Sequence, residues 1–129
     1  MRHGNKRYNI GVNSSHRRSL LRNLSIELIE HARIKTTITK CRAVKPYIEK
    51  IITIAKNDTV AKRRLVYSKL NNRAATVKLF KEIAPKVMNR NGGYTRIVKL
   101  ADKRAGDGSD MAYISLVDVI KENDTTISE

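Results

Sequence analysis

Seven consecutive residues, Arg90-Asn91-Gly92-Gly93-Tyr94-Thr95-Arg96, divide this chain into two kinds of pattern. Upstream, as far as Pro85, apolar residues recur mostly at helical spacing; downstream they alternate as in strands. A fold built from such a chain gathers most of its helices first and returns to a sheet at the end. The divider also has chemistry of its own. Adjacent glycines remove the Cβ atoms that keep a bulky polyanion from the backbone, and they permit positive φ, so that main-chain N–H groups can turn outward as donors. An isolated Asn-Gly-Gly is most often an ordinary turn entering a strand. Here Arg90 and Arg96 flank it in a strongly basic chain, which favours a surface for phosphate.

The charge is the second constraint. The 129 residues carry 27 Lys and Arg against 12 Asp and Glu, a formal net charge of +15 with a pI near 10.3. That excess is more than solubility needs and costs a compact fold self-repulsion, so it points to a polyanionic partner. Residues 1–100 hold 24 of the basic and 5 of the acidic residues, whereas residues 101–129 hold 3 and 7, so the polyanion-facing surface is N-terminal and central. No apolar run approaches the ~18 residues of a membrane span and no signal-type segment opens the chain, so a cytoplasmic location is expected. The single cysteine, Cys41, excludes an internal disulfide and a cysteine-based zinc site. The length suits one domain, and with one Phe and no Trp its core must be aliphatic.

Three sections are expected. Residues 1–13 form a basic extension without periodicity, of the kind that orders along nucleic-acid phosphates. Residues 14–119 make a single globular domain, and residues 120–129 an acidic tail expected to be disordered. Within the domain, Ser14 or Ser15 caps a helix to about His31, with Leu20, Leu21, Leu24 and Leu28 on one face. Three arginines near its start, where the helix dipole favours acids, call for an external anion. Arg33 to Thr37 reads as an edge strand. Thr36 or Thr37 caps a second helix to about Lys56, in which Cys41 lies on the apolar stripe and Pro46 predicts a kink or a split. A third helix, Val60 to Leu70, is expected to bury Val60, Ala61, Leu65 and Leu70; a fourth, about Ala74 to Ala84, to bury Val77, Phe80 and Ile83. Tyr94 to Leu100 and Met111 to Val119 read as strands, and the connection Ala101 to Asp110 as mobile or held by a partner. The expected order is α-β-α-α-α-β-β.

Catalysis finds little support. Carboxylates are scarce in the first hundred residues, neither a Walker-type loop nor Gly-x-Ser-x-Gly occurs, and His3, His16 and His31 are scattered among basic residues, reading as surface groups or phosphate donors. No cofactor, metal or small-molecule substrate is expected. From the residues alone the chain is a small α/β RNA-binding protein. A nucleoid-type DNA-binding protein shares its charge and size, but needs an element that enters a groove or a wedge that parts bases, and neither is evident.

Several motifs carry a resemblance. Met1-Arg-His, Ser15-His16-Arg17-x-x-Leu-Leu-Arg22-Asn23-Leu24, His31-x-Arg33-Ile34-x-Thr36-Thr37-x-x-Lys40, Glu49-Lys50-x-Ile52-Thr53, Lys78-Leu79-Phe80 and Arg90 through Ile97 stand in an order and spacing that resembles the seventeenth family of bacterial large-subunit ribosomal proteins. The resemblance runs to about Val119. Cys41 and Ala43 depart from the family's more frequent Ala and Glu, as does the stretch from Gly106 to Asp110. The resemblance implies a two-layer α/β (α+β) domain, about four helices on a small mixed sheet of about three strands, and a structural role on the large subunit near the rim of the peptide exit tunnel. The implied partners are large-subunit rRNA and neighbouring ribosomal proteins. Together with the charge pattern, it nominates as RNA contacts Arg2, His3, Lys6 and Arg7; His16, Arg17, Arg18, Arg22 and Asn23; Arg33, Lys35 and Lys40; Arg63 and Arg64; and Arg90, Asn91, Gly92, Gly93, Tyr94, Thr95, Arg96 and Lys99. For Tyr94 two roles are open, stacking on an unpaired base or packing on the helices.

Overall fold

The structure, a computed structural model, describes residues 10–117. The expectations for Arg2, His3, Lys6, Arg7 and the acidic tail fall outside the described residues. Helix α1 spans Ser14–His31, strand β1 Arg33–Thr37, α2 Ile38–Ala55, α3 Val60–Leu70, α4 Arg73–Lys78, β2 Thr95–Lys103 and β3 Asp110–Leu116. It is an α+β domain with its helices on one face of a three-stranded sheet.

Capping side chains explain the boundaries. Asn13, rather than either serine, caps α1, because its Oδ1 accepts the His16 N–H at 2.8 Å. Thr59 caps α3 in the same way through Lys62 N–H. Adjacent asparagines then do two jobs. Asn71 closes α3 in the left-handed conformation, at φ 52°, and Asn72 opens α4 by accepting Ala75 N–H at 2.9 Å. Helix α2 runs through Pro46 unbroken, so of the expected kink or split the split does not occur.

The strand order is β1-β3-β2, with both pairings antiparallel, so the sheet is not mixed. Strands β1 and β2 run in the same direction, but β3 stands between them. Cross-strand rows are Arg33, Ser115 and Arg96; Ile34, Ile114 and Ile97; Lys35, Tyr113 and Val98. Alternation sends Ile34, Ile97, Ala112, Ile114 and Leu116 toward the helices. There α2 supplies the centre of the core with Cys41, Val44, Ile48, Ile51, Ile52 and Ala55.

The expected stripe of α3 holds only at Leu70, and that of the fourth helix holds at Phe80 and Ile83 but not at Val77. In α3, Val66 and Leu70 are buried, whereas Val60, Ala61 and Leu65 are exposed. Packing on the neighbouring helices turns Val66 and Leu70 inward, and Lys62 and Lys69 flank that stripe and lie half-buried, their stems covering its rim. In the fourth helical segment Val77 is exposed, and Ala75, Thr76, Leu79, Phe80, Ile83, Ala84 and Val87 are buried. The cause is local: α4 passes into a π turn over Leu79–Ile83 and a 3-10 turn over Ala84–Val87, which re-phase the chain so that its larger apolar residues face inward. In α1 only Ser25, Leu28 and Ile29 are fully covered, and Leu20, Leu21 and Leu24 lie half-buried at the periphery.

Candidate nucleic-acid interface

The divider is held from behind by α2. The Tyr94 ring is 2% exposed, so of the two roles open to it the structure shows packing. Its hydroxyl lies 3.2 Å from Lys56 Nζ, which donates to it, and 3.4 Å from both Thr53 Oγ1 and the Arg90 carbonyl oxygen. Bonding to Thr53, and then the neighbouring ammonium, hold the phenol below its ordinary pKa against the opposing effect of burial. Lys56 also donates to the Arg90 carbonyl and places its charge 5.3 Å from the centre of the Tyr94 ring. Thr95, likewise buried, donates its N–H and hydroxyl to Glu49 Oε1, at 3.3 and 2.9 Å. Tyr94 and Thr95 are therefore anchors of the turn, and its exposed part is Asn91, Gly93 and Arg96.

Between the anchors the backbone takes the conformation the glycines allow. Gly92 has φ 129° and Gly93 φ 63°, and a Cβ built on either would meet no other atom within 4 Å. Glycine is required here by backbone shape, not by crowding from the chain itself, and the space beside it is open. A shallow groove continues from Gly92 and Tyr94 along Pro46, Lys50 and Ile54 of α2 to Lys69 of α3. At that end α1 joins. Arg22 Nε and the Tyr47 hydroxyl both donate to the Lys69 carbonyl, at 3.0 and 3.1 Å. Burial raises the Tyr47 pKa, and the charges of Arg22 and Arg18 pull against it; Arg18 stands one helical turn before Arg22 on the same face of α1. One strip thus brings together Arg18, Arg22, Lys50, Lys69 and the glycine turn. The one carboxylate lining the groove, Glu49, is engaged by Thr95.

Other nominated residues lie elsewhere or already have partners. His16 accepts Val12 N–H at Nδ1, which leaves its proton on Nε2, and Arg17 Nε donates to the Ile10 carbonyl; both brace the start of α1. Arg63 pairs with Asp58 through Nε–Oδ1 at 2.5 Å and Nη2–Oδ2 at 2.8 Å and sits 5.5 Å from the centre of the Phe80 ring, on the α3–α4 side. That pair lowers the Asp58 pKa and raises that of Arg63. Arg64 and Asn23 are exposed, and Lys40 is half-buried in the first turn of α2. Arg33, Lys35 and Arg96 share the open face of the sheet; Lys99 pairs with Ala112 in the neighbouring row yet is exposed. Lys50 and Lys69, in the strip, were not nominated, nor was the anchor Lys56. For Lys50 the signal was the helical phase, since Pro46, Lys50 and Thr53 repeat on the side of α2 opposite its buried stripe; Lys56 and Lys69 carried no such signal.

The connection between β2 and β3 is closed by its own side chains. Strand β2 reaches Lys103, and Asp107 accepts from Arg104 Nε at 3.0 Å and from Ser109 N–H and hydroxyl at 3.2 and 2.8 Å. The guanidinium holds the Asp107 carboxyl well below the usual carboxylate range. Glu27, Glu30 and His31 stand together near the end of α1 but are all exposed, with His31 Nε2 3.4 Å from Glu27 Oε2.

The described residues thus form a small α+β domain that carries a cationic strip beside a glycine turn. Among the described residues no helix is long and apolar enough to cross a membrane. The chain belongs to the ribosomal protein L17 family, whose model matches residues 20–117. It is 50% identical over 119 residues to the large ribosomal subunit protein bL17 of Persephonella marina, covering 92% of this chain and 96% of that one. It is 46% identical over 118 residues to large ribosomal subunit protein bL17 from Bacteroides fragilis and from Flavobacterium johnsoniae, covering 92% of this chain and 73% and 72% of theirs. The resemblance in the motifs is thereby borne out, and a nucleoid-type protein is set aside.

Proposed function

We propose that the chain serves the large ribosomal subunit by binding its rRNA along the strip that joins Arg18, Arg22, Lys50 and Lys69 to the Gly92-Gly93 turn. The observation that carries this reading is the anchoring of the turn. Tyr94, Thr95 and Lys56 fix its back while two positive-φ glycines face open space, so little ordering entropy remains to be lost when a phosphate backbone settles on it. Charge then supplies most of the affinity, and the prearranged turn fixes register. A position near the rim of the peptide exit tunnel on the solvent side, in cytoplasmic ribosomes and beside other large-subunit proteins, belongs to the same proposal and is supported by family membership. Crosslinking of protein to RNA within purified large subunits tests it. Crosslinked peptides are expected to contain Arg18 to Arg22 and Arg90 to Arg96. Crosslinks confined to the α3–α4 side, around Leu65 and Val77, contradict it.

A further inference from the structure

The sheet has a second face, turned away from the helices. Alternation along β3 buries Ala112, Ile114 and Leu116 and leaves Tyr113 and Ser115 half-exposed on the other side. Tyr113 stands in the central strand, in one row with Lys35 and Val98; Ser115 stands in the next row, between Arg33 and Arg96. The Arg33 guanidinium carbon lies 4.6 Å from the centre of the Tyr113 ring, so cation and ring are already paired. Val98 beside them is 48% exposed. No Asp or Glu occurs at 33–37, 95–99 or 111–116; Asp102 and Asp110 lie beyond the register shift of β2, with Asp110 opposite Lys103. This face therefore combines an aromatic ring, an arginine held against it and two more cations, with no carboxylate in either of their rows. A protein partner covering such a face must neutralise three cations over very little apolar area. An unpaired nucleotide fits it directly, because bases stack on aromatic rings and on guanidinium planes while neighbouring cations meet the phosphates on either side.

We propose that the open face of the sheet is a second RNA-contacting surface, on which an unpaired rRNA base stacks on the Arg33–Tyr113 pair while Lys35 and Arg96 engage its flanking phosphates. This rests on the rRNA-binding reading above and extends it, from phosphate contacts along the helical strip to a base contact on a different face. It also assigns to Tyr113 the stacking role that the sequence suggested for Tyr94.

The test measures affinity of the full chain for large-subunit rRNA over a salt series, with melting temperature, for the natural protein and three variants. Tyr113→Leu keeps apolar bulk and removes the ring, and is expected to weaken binding about 5- to 150-fold with an unchanged salt slope, because no phosphate contact is lost. Tyr113→Phe is expected to stay within about twofold. Lys35→Gln, at an exposed strand position, is expected to weaken binding and to make the salt slope shallower by about 0.7, which keeps the proposal testable if Tyr113→Leu folds poorly. Natural affinity in a folded Tyr113→Leu, or in Lys35→Gln, overturns the platform and leaves the helical strip standing. Natural rRNA affinity with lost incorporation into subunits assigns the face to a protein neighbour and also overturns it. Absence of salt-dependent rRNA binding by the natural chain removes both readings, an outcome distinct from either of these.

Discussion

Replacing Tyr94 separates an anchor from a contact, and the structure sets the magnitude. In Tyr94→Phe the ring stays in its 2%-exposed site, while the hydroxyl that meets Lys56, Thr53 and the Arg90 carbonyl is lost. Lys56 keeps its bond to the Arg90 carbonyl, so the cost is that of one ordinary buried hydrogen bond, about 1 kcal/mol. Tyr94→Ala removes the ring as well and leaves a cavity beside α2, costing about 3–5 kcal/mol by analogy with large-to-small aromatic changes in cores. At roughly 4 °C per kcal/mol for a domain of this size, the melting temperature should fall by about 4 °C for Phe and by 12 °C or more for Ala. Thermal unfolding followed by circular dichroism reads the stability, and rRNA affinity is measured well below the lower transition. The affinity of folded Tyr94→Phe should match the natural chain. A Tyr94→Ala variant that melts like the natural chain yet binds rRNA weakly would refute the anchor and restore the stacking role.

Three further outcomes follow from particular contacts. Gly93→Ala, at φ 63° with open space around it, should lose about 1 kcal/mol in urea unfolding, Gly93→Asn less, and Gly92→Ala at φ 129° more than either. Burial raises the Cys41 thiol from 9.0 to about 11, so at pH 9 the folded chain should alkylate at least about 50-fold more slowly than the chain in urea. A raised folded-state value also means that this group's contribution to stability is complete below pH 9 and is lost as pH rises toward 11. The Asp107 carboxyl is depressed by Arg104, so closure of the β2–β3 connection should be complete above the ordinary carboxylate range and loosen as pH falls below it, read as smaller amide protection factors, relative to the intrinsic rate at each pH, at Ser109 and Gly108.

Much of the architecture was legible because short polar residues punctuate it. The limits of α3 and β1 follow from Thr59, Asn71 and a β-branched run between helices, and these act locally. What escaped the sequence depends on tertiary geometry. The burial stripe of α3 differs from the expectation because Val60 and Leu65 are as apolar as the buried Val66, and only packing against the neighbouring helices distinguishes them. The π turn at Leu79–Ile83 shifts a stripe without a residue that announces it. In the candidate interface, the turn itself was visible in its glycines, but its rigidity was not, because the residues that hold it, Glu49, Thr53 and Lys56, come from a helix some forty positions earlier. Tyr94 and Tyr113 show the same limit. Tyr94 precedes β2 and is drawn inward by Thr53 and Lys56, whereas Tyr113 alternates with the buried Ala112 and Ile114 and so faces away from the helices.

The central claim, that this basic domain holds large-subunit rRNA through many phosphate contacts, is tested most directly by the salt dependence of that binding. With six or more contacts the logarithm of affinity should fall against the logarithm of salt concentration with a slope of about −4 or steeper. A slope near −1 with affinity intact would contradict it.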